Sequence, residues 1–108
     1  MRDDIFSLPP AVYGTIYLTL IPLFGFLYST LPNMQFNHED VGFLEAMYFS
    51  TITVTTTGFG DITPTNTFTR AFVMIEATIG VVSAGLFLNA ITYQREENMS
   101  NLMDAYEA

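Results

Sequence analysis

Residues 53–62 read Thr53-Val54-Thr55-Thr56-Thr57-Gly58-Phe59-Gly60-Asp61-Ile62, and their neighbours decide what they form. Alone, the overlapping run Ser50 to Thr57 (STITVTTT) is β-branched and alternates like a strand, and a turn at Gly58–Gly60 would close a hairpin. Just upstream, Phe43, Leu44, Met47, Tyr48 and Ile52 fall on one face at helical spacing. They predict a helix over residues 42–55, with Asp40 as a candidate N-cap. That helix is too short to cross ~30 Å of hydrocarbon, which takes about 20 residues.

The flanks choose between strand and helix. Residues 11–31 (AVYGTIYLTLIPLFGFLYSTL) are 21 residues without a charge, and residues 71–93 form a second long apolar run. Both are long enough to span a bilayer. Between two spans, an open strand edge at membrane depth would leave backbone groups unpaired, so a short re-entrant helix leading into an extended segment is the better reading. The chain then divides into an N-terminal segment (1–10), first spanning helix (11–31), polar loop (32–41), short re-entrant helix (42–55), an extended segment (56–61), a second loop (62–70), second spanning helix (71–93) and tail (94–108). The fold class is an all-α membrane protein.

Composition agrees. Half of the 108 residues are hydrophobic and 13% are charged, against about 25% in soluble domains. The net charge of −8, with three Arg and no Lys, disfavours nucleic acid and anionic lipid and attracts cations. Solubility of loops and tail accounts for the acidity equally well. No cysteine is present, which excludes disulfides and thiolate metal sites. Pro9 and Pro10 suit a helix start; Pro22 should kink the first spanning helix, with Thr19 placed to satisfy freed backbone groups. A cleaved signal peptide fits poorly, because the run is too long and Arg2 is followed by Asp3 and Asp4. In the polar tail, Met99, Leu102, Met103 and Tyr106 are spaced for a short acidic helix or a frayed end. His38, beside Glu39 and Asp40, reads most simply as a solvated loop residue, and Arg70 as an interfacial anchor.

The Thr53–Ile62 segment resembles the pore signature of potassium channels, T-x-x-T-x-G-Y/F-G-D, and the order of elements resembles the small two-span bacterial and algal-virus channels along the whole chain. The resemblance implies a homotetramer, each chain having three identical partner subunits within a lipid bilayer. Potassium ions, with no organic cofactor, would be held in a selectivity filter of Thr56, Thr57, Gly58, Phe59 and Gly60. Backbone carbonyls would replace the ion's water shell, with the Thr56 hydroxyl closing the innermost site. Gly58 and Gly60 can take the positive φ that such a backbone needs. Tyr48 and Phe49 occupy the family's aromatic positions and would pack around Phe59; Asp61 would concentrate cations at the outer mouth. The C-terminal dipole of the pore helix would favour a cation at the membrane centre. The resemblance also implies a hinge at Gly80, a cavity lined by Val81, Ala84 and Leu88, a cell-membrane location and cytoplasmic termini.

Thr57 departs from the family, which usually has Val or Ile there. The carbonyl survives the exchange, but the hydroxyl can bond its neighbours, which leaves a non-selective sodium/potassium channel as the alternative. A potassium-transporter pore unit is less favoured, since those usually keep a single filter glycine. No acid–base pair or nucleophile–base pair suggests an enzyme.

Glu76 is the least expected residue, an acid within a spanning run. Such acids usually face protein or water. One expectation is that Glu76 braces the filter from behind by bonding hydroxyls of Thr51, Thr53, Thr55 or Thr57; the other is a water-exposed acid near the outer interface. Gly80, 20 residues after Gly60, reads equally as a hinge or as a close contact with the pore helix.

Overall fold

The computed structural model describes residues 8–107. The N-terminal segment expected at 1–10 thus lies largely outside the described residues, with Arg2, Asp3 and Asp4. The described chain forms three helices, α1 (Pro10–Thr30), α2 (Phe43–Val54) and α3 (Thr67–Glu107). Among the described residues there is no strand beyond an isolated bridge between Phe36 and Pro64.

α1 begins where the two prolines direct it, with Pro10 in its first turn and Pro9 extended before it. The helix continues unbroken through Pro22. Thr19 does not serve the carbonyl that Pro22 frees at Leu18; its hydroxyl turns back to the Thr15 carbonyl at 2.6 Å.

α2 settles the strand-or-helix question at Ser50–Val54 in favour of helix. Thr51 and Thr53 answer their poor helix propensity by bonding the carbonyls four residues back, at Met47 and Phe49. The N-cap is Gly42 rather than Asp40, and no side chain caps the helix. The buried face overlaps the one traced by the apolar spacing only at Ile52 and, in part, Met47. Ala46, Phe49, Ser50, Ile52 and Val54 point into the chain's own core, while Phe43, Leu44 and Tyr48 are exposed. Both faces of α2 carry apolar groups, so periodicity alone could not say which of them meets the rest of the chain.

α3 is 41 residues long. At 1.5 Å per residue that is about 61 Å, roughly twice the hydrocarbon thickness. The tail is therefore a direct continuation of the second spanning helix rather than a separate short helix or a frayed end. Buried Thr69, Glu76, Ser83 and Ala90 recur every seven residues and mark the seam facing the rest of the chain. α1 and α3 run antiparallel: Gly14 lies against the Phe87 ring, and Tyr28 reaches Glu76. α2 wedges between the C-terminal half of α1 and the N-terminal part of α3, held close by two glycines. A Cβ on Gly25 would fall 2.5 Å from Met47 Sδ, and one on Gly80 would fall 2.7 Å from Val54 Cγ2.

The core joins Leu20, Phe24 and Tyr28 to Ala46, Phe49, Ile52, Val54 and Ile62. Phe36, from the polar loop, closes it with ring contacts to Tyr28 and Phe49 at 5.7 and 5.0 Å. Both long helices leave most of their apolar surface outside this core; Leu18, Phe26, Met74 and Val82 are more than half exposed. Both helices are long and apolar enough to cross a membrane.

Candidate functional site

The segment after α2 is shaped first by how that helix ends. Thr56 N–H donates to the Thr53 carbonyl, and Gly58 N–H reaches back to the Ile52 carbonyl at 3.0 Å. Thr51 O accepts from both the amide and the hydroxyl of Thr55, and Val54 O accepts the Tyr17 hydroxyl from α1 at 3.1 Å. Each carbonyl of the last turn thus has a donor within the chain. Gly58 and Gly60 take positive φ, 54° and 85°, as their positions required. Thr56 does so too, at 61°, and nothing in the sequence announced it. The left-handed region is costly for a β-branched residue, by about 1–2 kcal/mol. Thr56 adopts it where a helix commonly takes one left-handed residue to stop.

Residues 55–61 are all exposed. Phe59 is 71% exposed, so Tyr48 and Phe49 of the same chain do not enclose it. Phe49 is spent on the aromatic cluster with Tyr28 and Phe36. Tyr48 instead donates to Asp61 Oδ2 at 2.7 Å. That hydroxyl, by stabilising the charged form, holds the Asp61 carboxyl below its usual value, and the same bond pushes the Tyr48 hydroxyl up.

Asp61 is fixed through its backbone as well. Its carbonyl accepts from Asn37 Nδ2 at 3.0 Å and from the His38 ring at 2.9 Å. Asn37 and Thr63 exchange further bonds, Thr65 N–H meets the Gln35 carbonyl, Asn66 reaches Asn33, and Gln35 N–H donates to Thr69 Oγ1 at 2.8 Å. The polar loop, expected to be simply solvated, is clasped onto residues 61–69. Its contacts are long-range and specific, and single-residue properties carried no signal for them. Arg70 sits exposed at the base of α3, near the Pro64 carbonyl.

Glu76 is fully buried, which removes the water-exposed reading. Its partners are not the threonines. Thr51, Thr53 and Thr55 turn their hydroxyls to their own helix, and Thr57 pairs with Thr55 at 2.9 Å. Instead Tyr28 donates to Glu76 Oε1 at 2.8 Å, and Ser50 donates to Oε2 at 2.5 Å. Gly80 lies one turn further on, against Val54. Ala84 and Leu88 line an apolar groove between α1 and α3 of about 350 Å³, with Gly14, Tyr17, Leu18 and Phe87, while Val81 lies on the exposed face of α3. Among the described residues, no three His, Cys, Asp or Glu side chains converge as metal ligands.

Residues 15–94 match a family model described as an ion channel. The chain is 34% identical over 70 residues to a probable potassium channel protein of Methanocaldococcus jannaschii, covering 65% of this chain and 18% of that protein. It is 32% identical over 81 residues to a two-pore potassium channel of Arabidopsis thaliana, covering 74% of this chain and 28% of that one. It is also 35% identical over 79 residues to an uncharacterized protein of Methanothermus fervidus, covering 73% and 12%. The chain therefore spans less than a third of the length of these relatives.

Proposed function

We propose, since this chain belongs to the ion-channel family that its residues 15–94 match, that it is one subunit of a potassium-selective channel in the cell membrane. Four copies surround an axis, and α2 is a re-entrant pore helix. Carbonyls of Thr56, Thr57, Gly58 and Phe59 take the place of the ion's water shell, with Gly60 completing the strand and the Thr56 hydroxyl at its inner end. Potassium is the transported substrate. With two spans, both termini lie on one side, which we assign to the cytoplasm.

The observation that carries this reading is the backbone of residues 56–60. Positive φ recurs at every second residue, Thr56, Gly58 and Gly60, in a segment exposed throughout and suspended between two membrane-length helices. Alternating hand turns successive carbonyls toward one side, where copies of the strand could surround an ion. One strand cannot encircle an ion; closed rotational symmetry supplies the others. Exposure of Phe59, Tyr48 and Leu44 leaves apolar surface for neighbouring subunits to cover.

Thr57 supports a second reading, a non-selective cation channel. Its Oγ1 lies 2.9 Å from Thr55 Oγ1, a bond that the Val or Ile usual in the family cannot make. One measurement separates the two: the reversal potential of the reconstituted protein with potassium on one side of a planar bilayer and sodium on the other. A large displacement from zero is the expected result. A value near zero would leave the non-selective reading, and absence of any cation current would remove both.

A further inference from the structure

Ser50, Val54, Glu76 and Gly80 form two contacts placed one helical turn apart on both helices. Ser50 on α2 meets Glu76 on α3, and Val54, four residues on, meets Gly80, also four residues on. Both helices therefore run in the same direction here and are locked at two points, which fixes sliding as well as tilt. The first point is polar and wholly sealed: Ser50 and Glu76 have no exposed surface, and Tyr28 only 2%. The Glu76 carboxyl is the shared acceptor of one hydroxyl from α1 and one from α2. It is the group at which all three helices meet.

We propose that Glu76 is a positioning residue for ion selection: it sets the height of α2 along α3, and through α2 the position of residues 56–60. This rests on the channel reading above. The physical reason lies in what Glu76 lacks without Ser50. A buried carboxyl oxygen left without its donor is costly, so α2 has one favoured register in which Ser50 faces the carboxyl. Thr56 follows Ser50 by six residues of continuous, hydrogen-bonded chain, so a displacement at Ser50 is transmitted to it. Filter geometry has to hold to well under the width of an ion, which makes conduction sensitive to small shifts there.

Three variants of the full chain in lipid test this: Ser50→Ala, Glu76→Ala and Glu76→Gln. Ser50→Ala loses one bond with almost no change in volume, so its result stands if Glu76→Ala fails to fold. Glutamine keeps the shape, and its amide can accept one hydroxyl while donating to the other. Two readouts are taken, amide hydrogen exchange over residues 43–54 and the potassium-to-sodium permeability ratio. Ser50→Ala and Glu76→Ala should speed exchange in α2 and lower the ratio by about tenfold, the scale of one lost buried hydrogen bond. Glu76→Gln should stay close to the unsubstituted protein in both. Unchanged α2 exchange in Ser50→Ala overturns the proposal. So does a Glu76→Gln variant as impaired as Glu76→Ala, because charge rather than position would then be at work. If the unsubstituted protein shows no selective current, the channel reading fails, while the exchange data still decide whether Glu76 holds α2 in place.

Discussion

The Tyr48 hydroxyl donates to Asp61 Oδ2 at 2.7 Å, tying the middle of α2 to the residue just beyond Gly60. The two residues are 13 apart in sequence, so the bond bridges the start and finish of the segment between them. Because Tyr48 stabilises the ionised carboxyl, Asp61 titrates below its ordinary 3.8. A depressed acid stabilises the fold above its ordinary value and loses that contribution as pH falls through the lowered one. The charged form of this pair therefore persists below the pH at which a free aspartate takes up its proton.

Tyr48→Phe should remove that protection. Asp61 would then titrate nearer its ordinary value, and the outer mouth proposed for it would lose its negative charge at a higher pH. Single-channel conductance recorded between pH about 5 and about 3 should fall earlier in the variant than in the unsubstituted protein. Superimposable curves would mean that the bond does not govern the Asp61 charge.

Gly80→Ala should be destabilising, because the new methyl would lie 2.7 Å from Val54 Cγ2. Overpacking of this kind costs about 1–3 kcal/mol. Adding Val54→Ala removes the opposing methyl and should recover part of the loss, a non-additivity measurable by thermal unfolding in detergent. If Gly80→Ala keeps full stability and alters only open probability, the hinge role holds and the packing role does not.

Tyr17→Phe removes the donor that α1 supplies to the Val54 carbonyl. The expected cost is about 1 kcal/mol, the scale of one partly buried hydrogen bond. Thermal stability left unchanged by Tyr17→Phe would show that water replaces the hydroxyl without loss.

Thr56→Ala deletes the side-chain oxygen proposed for the innermost ion site while keeping a Cβ at φ 61°. Block by internal barium should weaken, since a divalent ion of similar size relies on the same oxygens. Unaltered barium affinity would place the Thr56 hydroxyl away from the ion path.

The two membrane-length helices and the short helix between them were legible before any coordinate, from run length and scarcity of charge. The positive φ of Gly58 and Gly60 was expected from the resemblance of their segment to the pore signature, and a missing Cβ permits it. The capping role expected of Asp40 and the bonding expected of Thr19 were not legible, because such groups have several nearby donors and acceptors and only coordinates select one. Nor was the buried face of α2, since both of its faces carry apolar groups and only one of them meets the rest of the chain. The partners of Glu76 needed the packed chain. Six hydroxyl-bearing residues lie between positions 50 and 57: Ser50, Thr51, Thr53, Thr55, Thr56 and Thr57. The threonines on α2 bond their own backbone, whereas Ser50 meets α3 at the height of Glu76, where Tyr28 arrives from α1. Which hydroxyl faces an acid 26 residues away depends on how three helices cross, and that is fixed by packing, at Gly25 and Gly80 above all.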